Sequence, residues 1–318
     1  MLRSLSVFSL AIALSTVIGL APSSAAEVTV KQHDGGVKVE IDGKPFTDYL
    51  TKTGPKPILW PIIGPTGAAM TRAYPMKKVE GEKQDHPHQR SLWFTHGDVN
   101  GVDFWSEIKG HGSIVHREFV KTESLADGSA VIVTRNDWIG PDGKKQCEDE
   151  RRLTFRAADD RREIDFDITL KASDGPVTFG DTKEGAMGIR IPTVMDVNSN
   201  KGGQIVTSEG LTDKAAWGKP ASWVDYHGPV EGELVGIAVM NHPSSFRYPT
   251  RWHVREYGLF AANPFGLKGF TGDKEVNGAH TVPSGESIQL RYRFVFHKGD
   301  EKTAGIAKAF AAYAEEKK

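Results

Sequence analysis

The sequence predicts an all-β protein, a large antiparallel β-sandwich with one helix at its C-terminus. Three observations support this fold class. Apolar and polar residues alternate with a period of two in many segments, glycine-containing turn motifs separate these segments, and apolar residues at helical spacing occur convincingly only near the end of the chain. Such alternation is typical of antiparallel strands with one face in a core and the other in water.

The predicted elements follow the chain in order. Strands are expected over residues 37–41, 114–120, 130–138, 162–170, 187–191 and 290–296. Turn motifs such as Asp42-Gly43, Asp127-Gly128 and Asn277-Gly278 punctuate them. Between residues 301 and 317, Ile306, Phe310 and Tyr313 fall at helical spacing among Ala, Lys and Glu, which predicts a helix packed on the sandwich edge.

The N-terminus predicts a signal peptide over residues 1–26. Arg3 precedes an uncharged apolar run, and Ser24-Ala25-Ala26 offers small residues for cleavage after Ala26. The run is shorter than the ~20 residues of a membrane-spanning helix. We therefore expect residues 27–318 to form a single β-sandwich domain that is periplasmic or secreted, with no membrane attachment after cleavage.

Composition excludes several classes of function. The 318 residues include 40 Lys+Arg and 41 Asp+Glu, a balance that argues against a nucleic-acid partner bound by general basicity. No GxGxxG motif opens a helix after a strand, so no dinucleotide site is expected. The single Cys147 excludes an internal disulfide and cysteine-rich zinc sites, and its charged neighbours predict a polar turn. No cofactor is predicted, although a divalent metal remains possible.

The densest group of reactive side chains lies between residues 85 and 105. On an extended chain His86 and His88 share one face, and two imidazoles about 7 Å apart can share a metal or divide acid and base roles. Pro87 places them on an edge strand or loop. The candidates are Asp85, His86 and His88 for catalysis, and Arg90, Trp93, His96, Asp98, Asp103 and Trp105 for substrate binding.

Two later segments add further candidates. Glycines surround Lys183 and Glu184 just before the strand expected at 187–191, so that Glu184 would project from a rigid strand edge. In the third segment, His253 and Arg255 occupy same-face positions on a strand. The candidates here are Glu184 and His242 for catalysis, and Lys183, Trp252, His253, Arg255 and Asn263 for substrate binding. Aromatic platforms flanked by Asp, Arg, His and Asn are common in sugar sites.

Three motif blocks carry a resemblance to a known family. DHPHQRSLWFTHGDVNGVDFW, GDTKEGAMGIRI and GIAVMNHPSSFRYPTRWHVREYGLFAANPFG together resemble the "PmoA family" of secreted proteins from planctomycetes and other polysaccharide-degrading bacteria. The label refers to a membrane subunit of methane monooxygenase, but no segment after the signal peptide is long enough to span a membrane. The resemblance implies a galactose-mutarotase-like β-supersandwich and a sugar or polysaccharide substrate. It implies no particular catalytic residues.

Three hypotheses about function follow. The first is a carbohydrate-active enzyme of glycoside hydrolase, lyase or epimerase type, with His and carboxylate side chains as general acid and base. The second is a metal-dependent enzyme that uses His86, His88 and His96 or His242, with Asp85 or Glu184. The third is a non-catalytic sugar-binding module. For all three we expect the three segments to converge on one concave sheet face, bordered by Trp93, Trp105 and Trp252.

Overall fold

The computed structural model describes residues 26–158 and 160–317, and over these residues the fold is all-β with antiparallel pairing. This confirms the predicted fold class. The predicted signal peptide lies outside the described residues, apart from Ala26. No helix in the described ranges is both long and apolar enough to cross a membrane.

The first sheet has eight strands, numbered here in chain order. Across the sheet they are β1 (Val28–His33), β2 (Gly36–Ile41), β3 (Lys44–Leu50), β4 (Ile58–Ile62), β5 (Leu92–His96), β11 (Gly185–Arg190), β16 (Leu259–Asn263) and β15 (Arg251–Val254). The predicted strands at 37–41 and 187–191 correspond to β2 and β11. Strands distant in sequence, β5, β11 and β16, therefore become neighbours.

The second sheet also has eight strands. They are β12 (Gln204–Thr207), β13 (Trp223–Val230), β14 (Glu233–Asn241), β18 (Ser287–Lys298), β9 (Arg161–Lys171), β8 (Lys145–Ala158), β7 (Ala130–Ile139) and β6 (Ser113–Ser124). The four remaining predicted strands lie within β6, β7, β9 and β18. A two-stranded sheet joins β10 (Val177–Phe179) to β17 (His280–Val282).

The core lies between the inner faces of the two large sheets. Phe46 of β3 packs edge-on against Phe155 of β8 and Phe296 of β18, with ring centroids 6.3 Å apart in both pairs. Phe94 of β5 packs similarly against Trp138 of β7. Burial of a large apolar side chain stabilises the fold by roughly 1.5–3 kcal/mol. These contacts therefore hold the sheets face to face.

Two α-helices are present in the described residues, α1 (Leu267–Thr271) and α2 (Ile306–Ala314). Helix α2 confirms the predicted C-terminal helix, although it is shorter than the expected 301–317. Its buried Ile306 and Tyr313 pack with Trp223, Met240 and Val295 on the outer face of the second sheet. The helix therefore covers apolar surface that the second sheet would otherwise expose.

The prediction for Cys147 is wrong. This cysteine is buried in β8, opposite Trp138 of β7, and not in a polar turn. Side chains on a strand point alternately to opposite faces, so Glu148 lies on the partly exposed face while the thiol lies in the core. Asp149 is buried on the same face as Cys147, where Trp138 Nε1 donates to it at 2.7 Å. Burial raises the pKa of the Cys147 thiol well above its ordinary value, which leaves it protonated and unreactive.

Candidate active site

The candidate site lies over a row of paired residues that crosses the first sheet. Ile58 of β4 pairs with Trp93 of β5, Trp93 with Gly188 of β11, Gly188 with Ala261 of β16, and Ala261 with His253 of β15. Directly opposed residues in antiparallel strands point to the same face. Trp93 and His253 therefore project from the outer face of this sheet, although 160 positions separate them.

Trp105 covers the apolar part of this row. Its ring centroid lies 5.4 Å from that of Trp93, and it packs in one buried cluster with Ile58, Leu259 and Ala261. The missing side chain at Gly188 makes room for the Trp93 indole, because a Cβ there would lie 2.6 Å from Trp93 Cζ2. The result is an aromatic floor on a rigid sheet.

A cavity of about 430 Å³ opens above this floor. Its lining residues are His86, His88, Gln89, Trp105, Ser106, Lys183, Glu184, His253, Arg255 and Tyr257. The structure thus brings side chains from all three sequence segments to one concave surface, as expected. The size is within the usual range for small-molecule sites.

His253 is the most constrained imidazole in the cavity. Its side chain is 3% exposed, and its Nδ1 lies 2.8 Å from the main-chain oxygen of Lys183. A carbonyl oxygen only accepts, so Nδ1 carries the proton and Nε2 is left as the acceptor nitrogen. Burial lowers the pKa of His253 to about 4, an effect that the nearby Glu184 carboxylate opposes. At neutral pH the ring is therefore an uncharged base.

His88 is also neutral at pH 7. Burial lowers its pKa to about 4, and the positive charge of Lys56 adds to that effect. The ring lies 5.7 Å from His86, which stacks in turn on Tyr257 with ring planes 8° apart. His86 and His88 thus share the cavity, as their spacing predicts.

Glu184, Lys183 and Arg255 bring formal charge to the cavity. Lys183 Nζ contacts Glu184 Oε1 at 2.5 Å, and both side chains are partly exposed. Arg255 places its guanidinium 5.6 Å from the Trp217 ring and 5.7 Å from the Tyr257 ring. Within the described part of the chain it forms no salt bridge, so the aromatic rings hold it in place while its donors stay available.

Asp85 anchors the histidine segment. Its carboxylate accepts hydrogen bonds from Arg72 and, at 2.9 Å, from Arg190 Nη2, and both arginines are buried. These guanidinium groups hold the pKa of Asp85 below its usual value against the effect of burial. Both arginines bind Oδ1, while Oδ2 lies 3.3 Å from His86 Nδ1, so Asp85 positions His86 and does not line the cavity.

Arg90 likewise forms a structural ion pair. It binds Glu107 through Nε and Nη2, at 2.9 and 2.8 Å, and Lys56 Nζ lies 2.6 Å from the same carboxylate. Asp103 accepts the main-chain N–H of Trp105 at 2.7 Å and so orients that ring. Asp98 accepts the N–H of Gly101 at 2.9 Å in a turn. None of the three predicted substrate-binding residues Arg90, Asp98 and Asp103 lines the cavity.

Four other predicted site residues lie elsewhere. His96 and Trp252 point to the inner face of the sheet by strand alternation, and both belong to the core. Asn263 donates to the Thr182 carbonyl at 2.9 Å and so supports the segment that carries Glu184. His242 follows β14 in the second sheet, with its Nδ1 2.7 Å from Ser244 Oγ and its ring against Tyr313 of α2. The predicted metal set of His86, His88 and His96 is therefore divided between two faces of the sheet.

A family model matches residues 36–311 of this chain. The chain belongs to the DUF6807 family, a family of unknown function. The matching family is not labelled "PmoA family", the label that the motif resemblance implied. No curated protein matches this DUF6807 chain.

Several solved structures are similar to the DUF6807 chain. A glycoside hydrolase family 97 enzyme from Pseudoalteromonas sp. strain K8, in complex with acarbose, is 10% identical with a TM-score of 0.34, over 87% of this chain and 34% of that one. The GH36 α-galactosidase from Geobacillus stearothermophilus is 11% identical with a TM-score of 0.39, over 88% and 40%. A galactose mutarotase-like protein from Clostridium acetobutylicum is 8% identical with a TM-score of 0.41, over 86% and 99%.

The DUF6807 chain thus spans about a third of the family 97 enzyme and two fifths of the α-galactosidase.

The cavity also contains residues that the sequence analysis does not single out, namely Gln89, Ser106 and Tyr257. Tyr257 lies two positions after Arg255 and four after His253, so the same alternation could have identified it. Gln89 binds the buried Arg190, a contact between segments 101 positions apart that no local pattern of the DUF6807 sequence contains.

Proposed function

We propose that this chain is an exported carbohydrate-active enzyme that transfers protons on a sugar held in the cavity above Trp105. His253 and His88 act as general bases, and Glu184 is the carboxylate partner. The main support for the proposal is that two neutral imidazoles, those of His88 and His253, share one cavity with Glu184. Each has a pKa lowered to about 4.

The Glu184 carboxylate offsets part of the cost that burial imposes on protonation of His253. When His253 Nε2 accepts a proton, the ring gains a positive charge beside the Glu184 carboxylate, which stabilises that charge. The Lys183 carbonyl holds the ring in the required tautomer throughout. The base is therefore oriented before the substrate arrives, which is the arrangement that general base catalysis needs.

The remaining lining suits a sugar. Trp105 and Tyr257 supply aromatic surface for the apolar face of a pyranose ring, and Arg255 supplies a fork of donors for its hydroxyl or carboxylate oxygens. Ser106 and Gln89 add neutral hydrogen-bonding groups at the same surface.

The number of carboxylates in the cavity favours one type of reaction over another. Most glycoside hydrolases use two carboxyl groups on opposite sides of the scissile bond. Among the described residues that line this cavity, Glu184 is the single carboxylate. We therefore favour proton-transfer chemistry of epimerase, mutarotase or lyase type over hydrolysis by paired carboxylates.

A product assay on a panel of mono- and polysaccharides tests the proposal. Optical rotation reports mutarotation and epimerisation, ultraviolet absorbance reports the double bond that a lyase forms, and a reducing-end assay reports hydrolysis. We expect one of the first two readouts, lost in Glu184→Gln and retained in His33→Gln, whose ring lies on the exposed surface of β1.

Two results would contradict the proposal. Sugar binding without any turnover, with only affinity lost in His88→Ala and Glu184→Ala, would identify a binding module. Turnover that chelators abolish and added metal restores, while circular dichroism shows an unchanged fold and Glu301→Gln behaves as wild type, would identify metal-dependent chemistry in the cavity.

A further inference from the structure

A second cluster of titratable side chains lies on the outer face of the second sheet, away from the cavity described above. His227 of β13, Gly236 of β14 and His297 of β18 are opposed across three neighbouring strands. Gly236 has no side chain between the two imidazoles, and a Cβ there would lie 2.3 Å from the His297 ring. Asp225 precedes His227 by two positions, so it points to the same face.

The loop before helix α2 completes the cluster with Glu301. Asp225 Oδ1 lies 2.7 Å from His227 Nδ1, and Glu301 Oε2 lies 3.7 Å from the same nitrogen. In the described part of the chain, these three residues form the one group whose donor atoms all lie within 4.8 Å of one another. A tetrahedral ion with bonds of about 2.1 Å separates its ligands by roughly 3.4 Å. Asp225 and His227, now hydrogen-bonded at 2.7 Å, would move apart by less than about 1 Å to bind it.

The fourth residue, His297, orients the carboxylate. Its Nε2 lies 2.7 Å from Asp225 Oδ2, and its Nδ1 lies 3.2 Å from the main-chain oxygen of Lys298. Asp225 is therefore fixed through its second oxygen while Oδ1 faces His227. Such support of a ligand by an outer residue is characteristic of metal sites.

Burial and negative charge favour cation binding in this cluster. Asp225 is 0% exposed and the Glu301 side chain 11% exposed, so two carboxylates lie close together with little water. Asp300 adds a third negative charge nearby. The closest lysine, Lys302, is 87% exposed, and its Nζ lies 3.9 Å from Glu301 Oε1. Without an ion, the hydrogen bonds from His227 and His297 stabilise Asp225. A divalent cation would neutralise both the Asp225 and the Glu301 carboxylates.

A route to solvent exists beside the cluster. A cavity of about 580 Å³ is bounded by Glu301, Lys302 and Trp223, and by Gln204, which is paired with His227 in the sheet. A hydrated ion can approach Glu301 through this space.

We propose that Asp225, His227 and Glu301 bind a divalent transition metal of the zinc class, with His297 as the residue that positions Asp225. Mixed imidazole and carboxylate donors suit Zn²⁺, Mn²⁺ or Fe²⁺. The ion replaces the proton on His227 Nδ1 and joins β13 to the loop that leads into α2. Its role is to fix the C-terminal helix on the second sheet, independently of chemistry in the sugar cavity.

Zinc binding to tag-free protein tests this proposal. The protein is stripped with a chelator, incubated with Zn²⁺ alone, desalted and analysed for bound metal. We expect about one zinc per chain, together with a zinc-dependent rise in the thermal midpoint. Binding is lost in Glu301→Gln and His227→Ala, and His297→Asn weakens it about 10- to 100-fold.

His33→Ala is the matched control, because His33 forms a 2.9 Å contact with Asp48 but has no third donor. It keeps full zinc binding. Glu301→Gln changes a partly exposed loop residue and preserves the fold, which circular dichroism checks. Absence of bound zinc in folded wild-type protein, or equal binding by folded wild type and Glu301→Gln, overturns the proposal.

Discussion

His253 donates its Nδ1 proton to the main-chain oxygen of Lys183, across 2.8 Å and between segments 70 positions apart in the chain. This one hydrogen bond fixes which nitrogen of the ring is basic. It also joins the strand that carries His253 to the turn that carries Glu184. The proposed base and its carboxylate partner are therefore positioned relative to each other by the backbone.

Removal of the base at His253 should abolish most turnover. His253→Gln retains a polar side chain of similar size but cannot take up a proton at neutral pH. We expect kcat to fall about 10²- to 10⁴-fold, with a much smaller change in KM. Steady-state kinetics on the substrate found in the sugar panel measure this, with His33→Gln as the control. Retention of more than about a tenth of wild-type kcat would contradict the assignment of His253 as base.

The buried His96 should make stability depend on pH. Burial lowers its pKa from 6.5 to about 4, while its Nε2 donates to the Gly180 carbonyl at 2.8 Å. Between these values the unfolded chain binds a proton that the folded chain does not, so the free energy of unfolding falls as pH decreases from about 6.5 to about 4. The contribution of this one group is up to about 3 kcal/mol.

Urea unfolding of wild type and His96→Gln at pH 7 and pH 4.5 measures the effect. Carboxylates titrate in both proteins, so the difference between them isolates His96. We expect a smaller loss of stability in the variant on acidification. Identical losses in the two proteins would show that His96 does not contribute.

Gly188 should tolerate no side chain. A Cβ at this position would lie 2.6 Å from Trp93 Cζ2, and Trp93 is held by Trp105. Gly188→Ala should destabilise the fold by about 1–3 kcal/mol and displace the aromatic floor of the cavity. Chemical denaturation and tryptophan fluorescence report both effects.

Gly35→Ala is the control for this substitution, because the atoms closest to its Cβ are 3.4 Å away in the His33 side chain. A Gly188→Ala protein with wild-type stability and fluorescence would mean that Trp93 can move freely.

Glu107 should be essential for stability because it neutralises a buried lysine. Lys56 is 1% exposed, and burial lowers its pKa to about 8 even with Glu107 at 2.6 Å. Glu107→Gln removes the carboxylate that Lys56 and Arg90 share, and we expect a loss of about 3–5 kcal/mol. Asp34→Asn breaks the exposed pair with Lys52 and should leave the free energy of unfolding nearly unchanged, because solvent screens this pair. Equal changes in the free energy of unfolding would show that the buried pair is no more important for stability than the exposed one.

The sequence patterns predict strands well, but they do not tell which face of a strand is buried. Residues 92–96 show the difficulty, because Trp93 faces the site while His96, three positions later, lies in the core. Proximity in sequence to His86 and His88 made His96 a candidate, and alternation alone could not exclude it. The same ambiguity affects Trp252 and its neighbour His253.

Ion pairs between distant segments explain why other predicted site residues do not line the cavity. The spacing of Asp85 and Arg90 indicates reactive groups, yet Arg190 and Glu107 occupy them from elsewhere in the fold. Pairing of this kind depends on strand order, which local patterns do not contain. The convergence of His88, Glu184 and Arg255 could be anticipated because charged groups are less costly around one wet cleft than when scattered in a core.

The position of β18 has a consequence for the order of assembly. This strand is the last one in the sequence, yet it lies between β9 and β14 in the middle of the second sheet. Until residues 287–298 leave the ribosome, β9 and β14 each present an open hydrogen-bonding edge, and such edges invite pairing with other chains. Closure of the sandwich is therefore a late event that joins residues more than a hundred positions apart, a topology associated with slow folding.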